Sequence, residues 1–287
     1  MATKDTLKKL QDIAKANKNG GKHLQPEKEL LLNHYQHRGG AYASTEEVLQ
    51  NFEEWNKEHY LIRPTNNERN AYISPIFGIS RHRMGVDGKG VTTLVTFMGC
   101  PLQCRYCLNN RCHEDIYEED GRTLRHGIQM LTPQQLYDMV KQDNIYFQAT
   151  GGGICFGGGE PTLQTQFIIA FAKLCPKNWK ITLETSLRCS YNTIKALAPY
   201  VDEWIVDIKS MNADIYNRYT DVNSAVHQHL ACAKKLLSPD KVTIKVPHIP
   251  DFTTEEDVRE SIRELGEMGF TNIVEFDYVK RDNYKAE

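Results

Sequence analysis

The sequence predicts an α/β protein: a partial, open (β/α)6 barrel of parallel strands with a helical N-terminal extension. Three observations predict it. From residue 91 onward, β-branched runs alternate with helical stripes through six repeats. Such alternation builds right-handed βαβ units and so a parallel sheet. Six units fall two short of a closed eight-stranded barrel. Before residue 71 only helical patterns occur, so the expected division is 1–70 for the extension and 71–287 for the barrel.

In the extension, Leu7, Leu10, Ile13 and Ala14 share one helical face, and "GG" at 20–21 and 39–40 breaks the pattern. Ser44 and Glu47 read as a capping box ahead of Val48, Leu49, Phe52 and Trp55. These stripes either cover the barrel or hold a partner protein. Cover is the expectation, because such apolar stripes are more often buried within their own chain. "RPTNNERN" (63–70) reads as a linker.

The barrel elements follow in order. "VTTLVTF" leads as a strand into the first cysteine. Thr132-Pro133 opens a helix running to about Lys141. "GGICFGGGE" is a strand, "LQTQFIIAFAKLC" a helix, "WKITLETS" a strand and "SYNTIKALAPY" a helix. "DEWIVDIKS" is a strand, "SAVHQHLACAKKLLS" a helix and "KVTIKVPHIP" a strand. "TTEEDVRESIRELGEMG" is a helix with Thr253 and Glu256 as its capping box, and "NIVEFDYV" is the last strand. Chemistry in such barrels gathers at the C-terminal strand ends. Cys100, Glu160, Glu184, Asp207, Lys209 and Lys245 all fall there.

Composition narrows the class. Charged residues make up 25% of the 287 and AVILMFWYC 40%, as in ordinary globular proteins. A net charge of −2 offers no basic face for nucleic acid. No run reaches the roughly 20 apolar residues of a membrane span, and the N-terminus lacks a signal peptide's apolar stretch. A cytoplasmic monomer is expected. Eight cysteines in a reducing compartment point to metal or catalysis rather than disulfides.

"CPLQCRYC" (100–107) sets Cys100, Cys104 and Cys107 on one loop. A tetrahedral zinc ion wants a fourth ligand, which Cys112 or His113 supplies. A cubane cluster usually takes four cysteines, so three leave one iron open to a small molecule. Both readings stand on the spacing alone. Cys155, Cys175 and Cys232 lie in apolar contexts and read as small core residues.

The C-x3-C-x2-C spacing with Tyr106 before the last cysteine resembles the signature of radical S-adenosylmethionine (SAM) enzymes. "GGGEP" (157–161), ending the second strand, resembles that family's GGE motif. With "VDGKG", "LETS", "VDIKSMN" and "IKVPHIP", the likeness narrows to the activating enzymes of glycyl radical enzymes over about residues 73–280. The resemblance implies one [4Fe-4S] cluster on Cys100, Cys104 and Cys107, flanked by Tyr106 and Leu108. It implies SAM held by Gly158, Gly159 and Glu160, by Asp207 and Lys209, and by Lys245. It sets Glu184, with Thr185, at a monovalent cation and Asp87 near the substrate loop. The implied activity is reductive SAM cleavage to a 5′-deoxyadenosyl radical, which takes hydrogen from a glycine Cα of a partner glycyl radical enzyme under anaerobic conditions. The implied electron donor is a flavodoxin or ferredoxin. Leu108 and Val279 stand where the family often has histidines, and Glu184 where it has an aspartate. The competing expectations are a radical SAM enzyme acting on another peptide or small metabolite, and a zinc-stabilised binding module.

Overall fold

The computed structural model describes residues 72–278. The expectations for residues 1–70 and Val279 lie outside them. One eight-stranded sheet organises the described chain. Its strands are β1 (Ser74–Met84), β2 (Val91–Phe97), β3 (Gln129–Leu131), β4 (Gly153–Gly158), β5 (Lys180–Thr185), β6 (Glu203–Asp207), β7 (Val242–His248) and β8 (Ile273–Asp277), in spatial order β3-β1-β2-β4-β5-β6-β7-β8. β2 and β4 to β8 run parallel and are the six strands the sequence predicts. The sheet does not close, as expected for the partial barrel.

The helices are α1 (Pro133–Val140), α2 (Asn144–Thr150), α3 (Thr165–Ala172), α4 (Tyr191–Leu197), α5 (Ala213–Thr220), α6 (Val226–Leu236) and α7 (Glu255–Glu267). α1 starts where its sequence says. The Thr132 hydroxyl accepts from Gln135 N at 3.2 Å, and the Gln135 side chain accepts from Thr132 N at 2.8 Å. α7 is capped one residue later than expected, by Thr254 and Asp257. The Thr253 hydroxyl is engaged elsewhere, accepting from Ile249 N at 2.7 Å.

Strands β1 and β3 and helices α2 and α5 are additions to the expected elements. β1 pairs antiparallel with β2 on one side and with β3 on the other. Pro75, Gly78 and the basic run Arg81-His82-Arg83 hide its alternation, and its register slips twice, between Ile76 and Gly78 and between Ser80 and Arg83. His82 lies in the second slip with φ +57°, as a bulge permits. Buried Asp143 ties these strands to the helical layer, accepting from the Arg81 guanidinium at 2.8 Å and from the Thr93 hydroxyl at 2.8 Å.

Alternation divides the parallel strands between two faces. Val95, Phe97, Ile154, Phe156, Leu183, Trp204, Val206, Ile244 and Val246 pack into the buried core beneath the helices. The opposite face lines the lumen of the open barrel. It carries Thr92, Leu94 and Thr96 from β2, Cys155 and Gly157 from β4, and Thr182 and Glu184 from β5. Ile205 and Asp207 from β6, Lys245 and Pro247 from β7, and Val274 and Phe276 from β8 share this face.

Candidate active site

The loop after β2 is held by backbone bonds on three sides. Gly99 N donates to Cys112 O at 2.8 Å, Gln103 N to Thr220 O at 2.8 Å and Arg105 N to Tyr219 O at 3.0 Å. The last two acceptors are terminal carbonyls of α5, which have no partner within their helix. So fixed, the loop presents Cys100, Cys104 and Cys107 as free, half-buried thiols. Burial pushes the Cys104 thiol up, against the pull of nearby Lys209. A hydrogen bond with Cys112 brings Cys107 down to about 5. Three adjacent thiols on a rigid loop are a donor set that suits an iron–sulfur cluster.

The glycine run explains how β4 meets this loop. Gly159 N donates to Phe97 O at 2.9 Å and Glu160 N to Gly99 O at 2.8 Å. A Cβ on Gly159 would stand 2.1 Å from Gly99 O, and one on Gly158, at φ +86°, 2.6 Å from Thr96 Cβ. The motif therefore seats backbone on backbone, with no side chain able to intervene.

Glu160 is 1% exposed. Its Oε1 accepts from Thr162 N at 3.1 Å, Thr162 Oγ1 at 2.7 Å and Thr185 Oγ1 at 2.6 Å. Its Oε2 accepts from Ser186 N at 2.9 Å and Ser186 Oγ at 2.6 Å. A carboxylate has about four lone-pair sites, and these five donors fill them. Glu160 thus fastens the end of β4 to the end of β5. Thr162 and Ser186 are site residues that sequence reasoning missed; the hydroxyl residues beside "GGGEP" and "LETS" were the available signal.

Further round the strand ends, Lys209 is 8% exposed and bonded to Asp207 Oδ2. Burial pulls its ammonium down, but Asp207, Cys104, Tyr278 and Tyr219 together outweigh that and hold it above the usual lysine range. Asp207 Oδ1 is buried and has no hydrogen-bond partner among the described residues. An orphaned acceptor of this kind suits a ligand's donor. Tyr106, Tyr219 and Phe252 meet edge-on nearby, with ring centroids 5.1–6.1 Å apart. The Tyr106 hydroxyl donates to Asp251 Oδ2 at 2.7 Å, and the Tyr278 hydroxyl to Tyr106 O at 2.5 Å. Leu108 is half exposed on the rim.

Glu184 is engaged by Lys245 Nζ at 2.9 Å. Burial raises the Glu184 carboxyl, and Lys245 partly offsets it. The lysine ammonium takes Oε1 of the carboxylate where the resemblance sets a monovalent cation. Asp87, which the resemblance sets near the substrate loop, acts on Glu184 and Lys245 through its charge. It is 2% exposed and salt-bridged to Arg83 in the turn before β2, whereas the cysteine loop follows β2. Seven strand residues at about 3.3 Å each separate the two. The turn closes the opposite end of the lumen: Gly88 packs on Thr182 and Glu203, and Lys245 Nζ reaches Val86 O at 3.5 Å.

Residues 94–279, from mid-β2 past β8, match the Radical SAM superfamily. The chain belongs to that superfamily and is a radical SAM oxidoreductase, a class that works with a [4Fe-4S] cluster and SAM. Its curated relatives are activating enzymes for glycyl radical enzymes. The pyruvate formate-lyase-activating enzyme of Clostridium pasteurianum is 30% identical over 64% of this chain and 71% of its own length. The choline trimethylamine-lyase activating enzyme of Oleidesulfovibrio alaskensis is 26% identical over 66% and 76%. The pyruvate formate-lyase 1-activating enzyme of Escherichia coli (strain K12) is 30% identical over 64% and 70%. No helix of the described residues is long and apolar enough to cross a membrane.

Proposed function

We propose that this chain activates a partner enzyme by removing a hydrogen atom from the Cα of one of its glycines, leaving a glycyl radical there. The lumen is the observation that carries this reading. A closed barrel fills its interior with branched apolar side chains. Here, from β2 as far as Lys245 of β7 and Leu94 and Ile205 apart, the inward residues are small or polar, among them Thr92, Thr96, Cys155, Gly157, Thr182, Glu184, Asp207 and Lys245, while Pro247, Val274 and Phe276 make an apolar margin at the last strands. Such a wall can satisfy the backbone groups of an extended, glycine-bearing segment, which a dry apolar interior could not. The relatives named for activating lyases support a protein substrate.

The cluster and SAM, when bound, supply a one-electron reductive cleavage and the organic radical it releases. Cys100, Cys104 and Cys107 would hold the iron. Asp207 Oδ1 would accept from SAM, with Lys209 fixing the carboxylate from its other oxygen. Hydrogen-atom transfer moves no net charge, so no general acid or base is assigned. The chain's work is to hold the glycine Cα in van der Waals contact and to exclude water and oxygen. A flavodoxin or ferredoxin is the electron donor in this reading.

The test is anaerobic incubation of reconstituted protein with SAM, a low-potential reductant and a candidate glycyl radical enzyme from the same organism. The expected result is a glycyl doublet in the electron paramagnetic resonance spectrum of the partner. Production of 5′-deoxyadenosine on addition of a different peptide or a metabolite, with no doublet, would assign the chemistry to another substrate.

A further inference from the structure

The radical chemistry gives no role to Cys112 or His113, yet the fold sets both against the cysteine loop. Cys112 is 2% exposed. It lies in the short 3₁₀ turn Asn110–His113, and its carbonyl anchors Gly99. The turn brings the Cys107 and Cys112 thiols and a His113 ring nitrogen within 4.8 Å of one another. Cys100 acts with Cys107 and burial to push the Cys112 thiol up, so the Cys100 sulfur is a neighbour too. Cys104 is not part of that group.

Spacing decides what such a set can hold. Cysteines of a cubane each bind a different iron, so their sulfurs stand farther apart than ligands sharing one ion. Ligands of one tetrahedral zinc ion lie about 2.0–2.3 Å from the metal, which leaves them about 3.3–3.8 Å from each other. Donor atoms already within 4.8 Å reach that spacing by small side-chain adjustments. Thiolates with one imidazole are also a soft donor set that selects zinc-like ions over magnesium or calcium.

We propose that the cluster-free protein binds one thiophilic divalent cation of the zinc class through Cys107, Cys112 and His113, with Cys100, a neighbour of the Cys112 thiol on the cysteine loop, drawn in to complete the tetrahedron. Cys100 and Cys107 are shared with the cluster, so the ion and the cluster exclude each other. A bound ion holds the cysteine loop against the 110–113 turn and blocks cluster assembly. This holds whichever molecule is the radical's substrate.

The experiment is an anaerobic titration of the full-length, iron-free protein with cobalt(II), followed by zinc(II). The expected result is one cobalt per chain, with the intense absorption of a tetrahedral site and thiolate-to-cobalt charge transfer, bleached by one equivalent of zinc. Losing a ligand should cost at least the about 10- to 100-fold that losing an outer-shell partner costs. Cys112→Ala and His113→Ala should each show it, while Cys104→Ala binds as the wild type does. His113 is only partly buried, so its variant does not depend on the core tolerating a change at Cys112. Two results would overturn the proposal. In one, the Cys112 and His113 variants bind normally while Cys104→Ala fails, which places the ion on the loop trio alone. In the other, no tetrahedral cobalt spectrum appears.

Discussion

Glu160→Gln separates two roles for the glutamate of "GGGEP": ligand to the SAM ammonium, or fastener between β4 and β5. The substitution keeps shape and replaces one acceptor oxygen with an NH2 donor. The amide oxygen would take the Oε1 position, where Thr162 N, Thr162 Oγ1 and Thr185 Oγ1 converge. The NH2 then faces Ser186. The Ser186 hydroxyl can turn and accept, but the Ser186 N–H cannot and is left without an acceptor. An unsatisfied buried donor costs about 1–3 kcal/mol. Each of the three bonds on the remaining oxygen loses its charge assistance, about 1 kcal/mol apiece. No longer burying a charge returns part of this, so the net loss is about 2–4 kcal/mol. For a domain of this size that lowers the melting temperature by roughly 4–16 °C. Thermal unfolding of the SAM-free protein, followed by circular dichroism, reads it directly, with anaerobic equilibrium dialysis measuring SAM binding alongside. An unchanged melting temperature, with SAM binding weakened about 10- to 100-fold, would refute the fastener role and restore the ammonium contact.

Alanine at Cys100, Cys104 or Cys107 should prevent reconstitution to about four irons per chain, whereas Cys112→Ala should reach it; colorimetric iron and sulfide assays decide. Gly159→Ala forces a Cβ to within 2.1 Å of Gly99 O, so the variant should lose cluster retention, read as iron content after gel filtration. Lys245→Met leaves Glu184 facing the lumen acids alone and should cost about 1–3 kcal/mol, less than a fully buried pair because about a quarter of each side chain is exposed. Lys245→Met/Glu184→Gln should melt above Lys245→Met, and a double variant no more stable than the single one would disprove the coupling. His248, hydrogen-bonded to Glu275 at 2.5 Å, is held above its usual 6.5. A raised histidine stabilises fully below its unfolded value, and the gain fades as pH rises through the folded one. Wild-type melting temperature should therefore fall as pH rises above 6.5, and His248→Gln should flatten that slope.

The six parallel strands were legible because strands buried on the core face are β-branched runs closed by glycine or polar residues. β1 was not, because its partners are backbone groups of β2 and β3, and its own side chains from Ser80 to Arg83 read as a polar turn. α5 hid behind "NADIYNRYT", where one asparagine cap and three spaced apolar residues make a weak stripe. The cysteine trio was legible as spacing. Cys112 and His113 were legible as alternative fourth ligands, but not that both stand beside Cys107 at once, which depends on the turn whose Cys112 carbonyl accepts from Gly99 N.

Glu160 and Asp87 differ from Asp207 in what the protein itself already gives them. Both were placed from runs that recur in a family, and both are acids, so a contact with a ligand is the natural assignment. The structure surrounds Glu160 with five protein donors and pairs Asp87 with Arg83. Asp207 is different. Lys209 takes one of its oxygens and nothing among the described residues takes the other. A buried acceptor left open costs about 1–3 kcal/mol, a cost that a bound donor recovers. Of the acids predicted at the site, Asp207 is therefore the one whose energetics call for a ligand. Asp207→Asn offers an amide where SAM would donate, so it should weaken SAM binding more than Glu160→Gln does. The same dialysis measurement ranks the two, and the reverse order would show that the open oxygen is not where SAM binds.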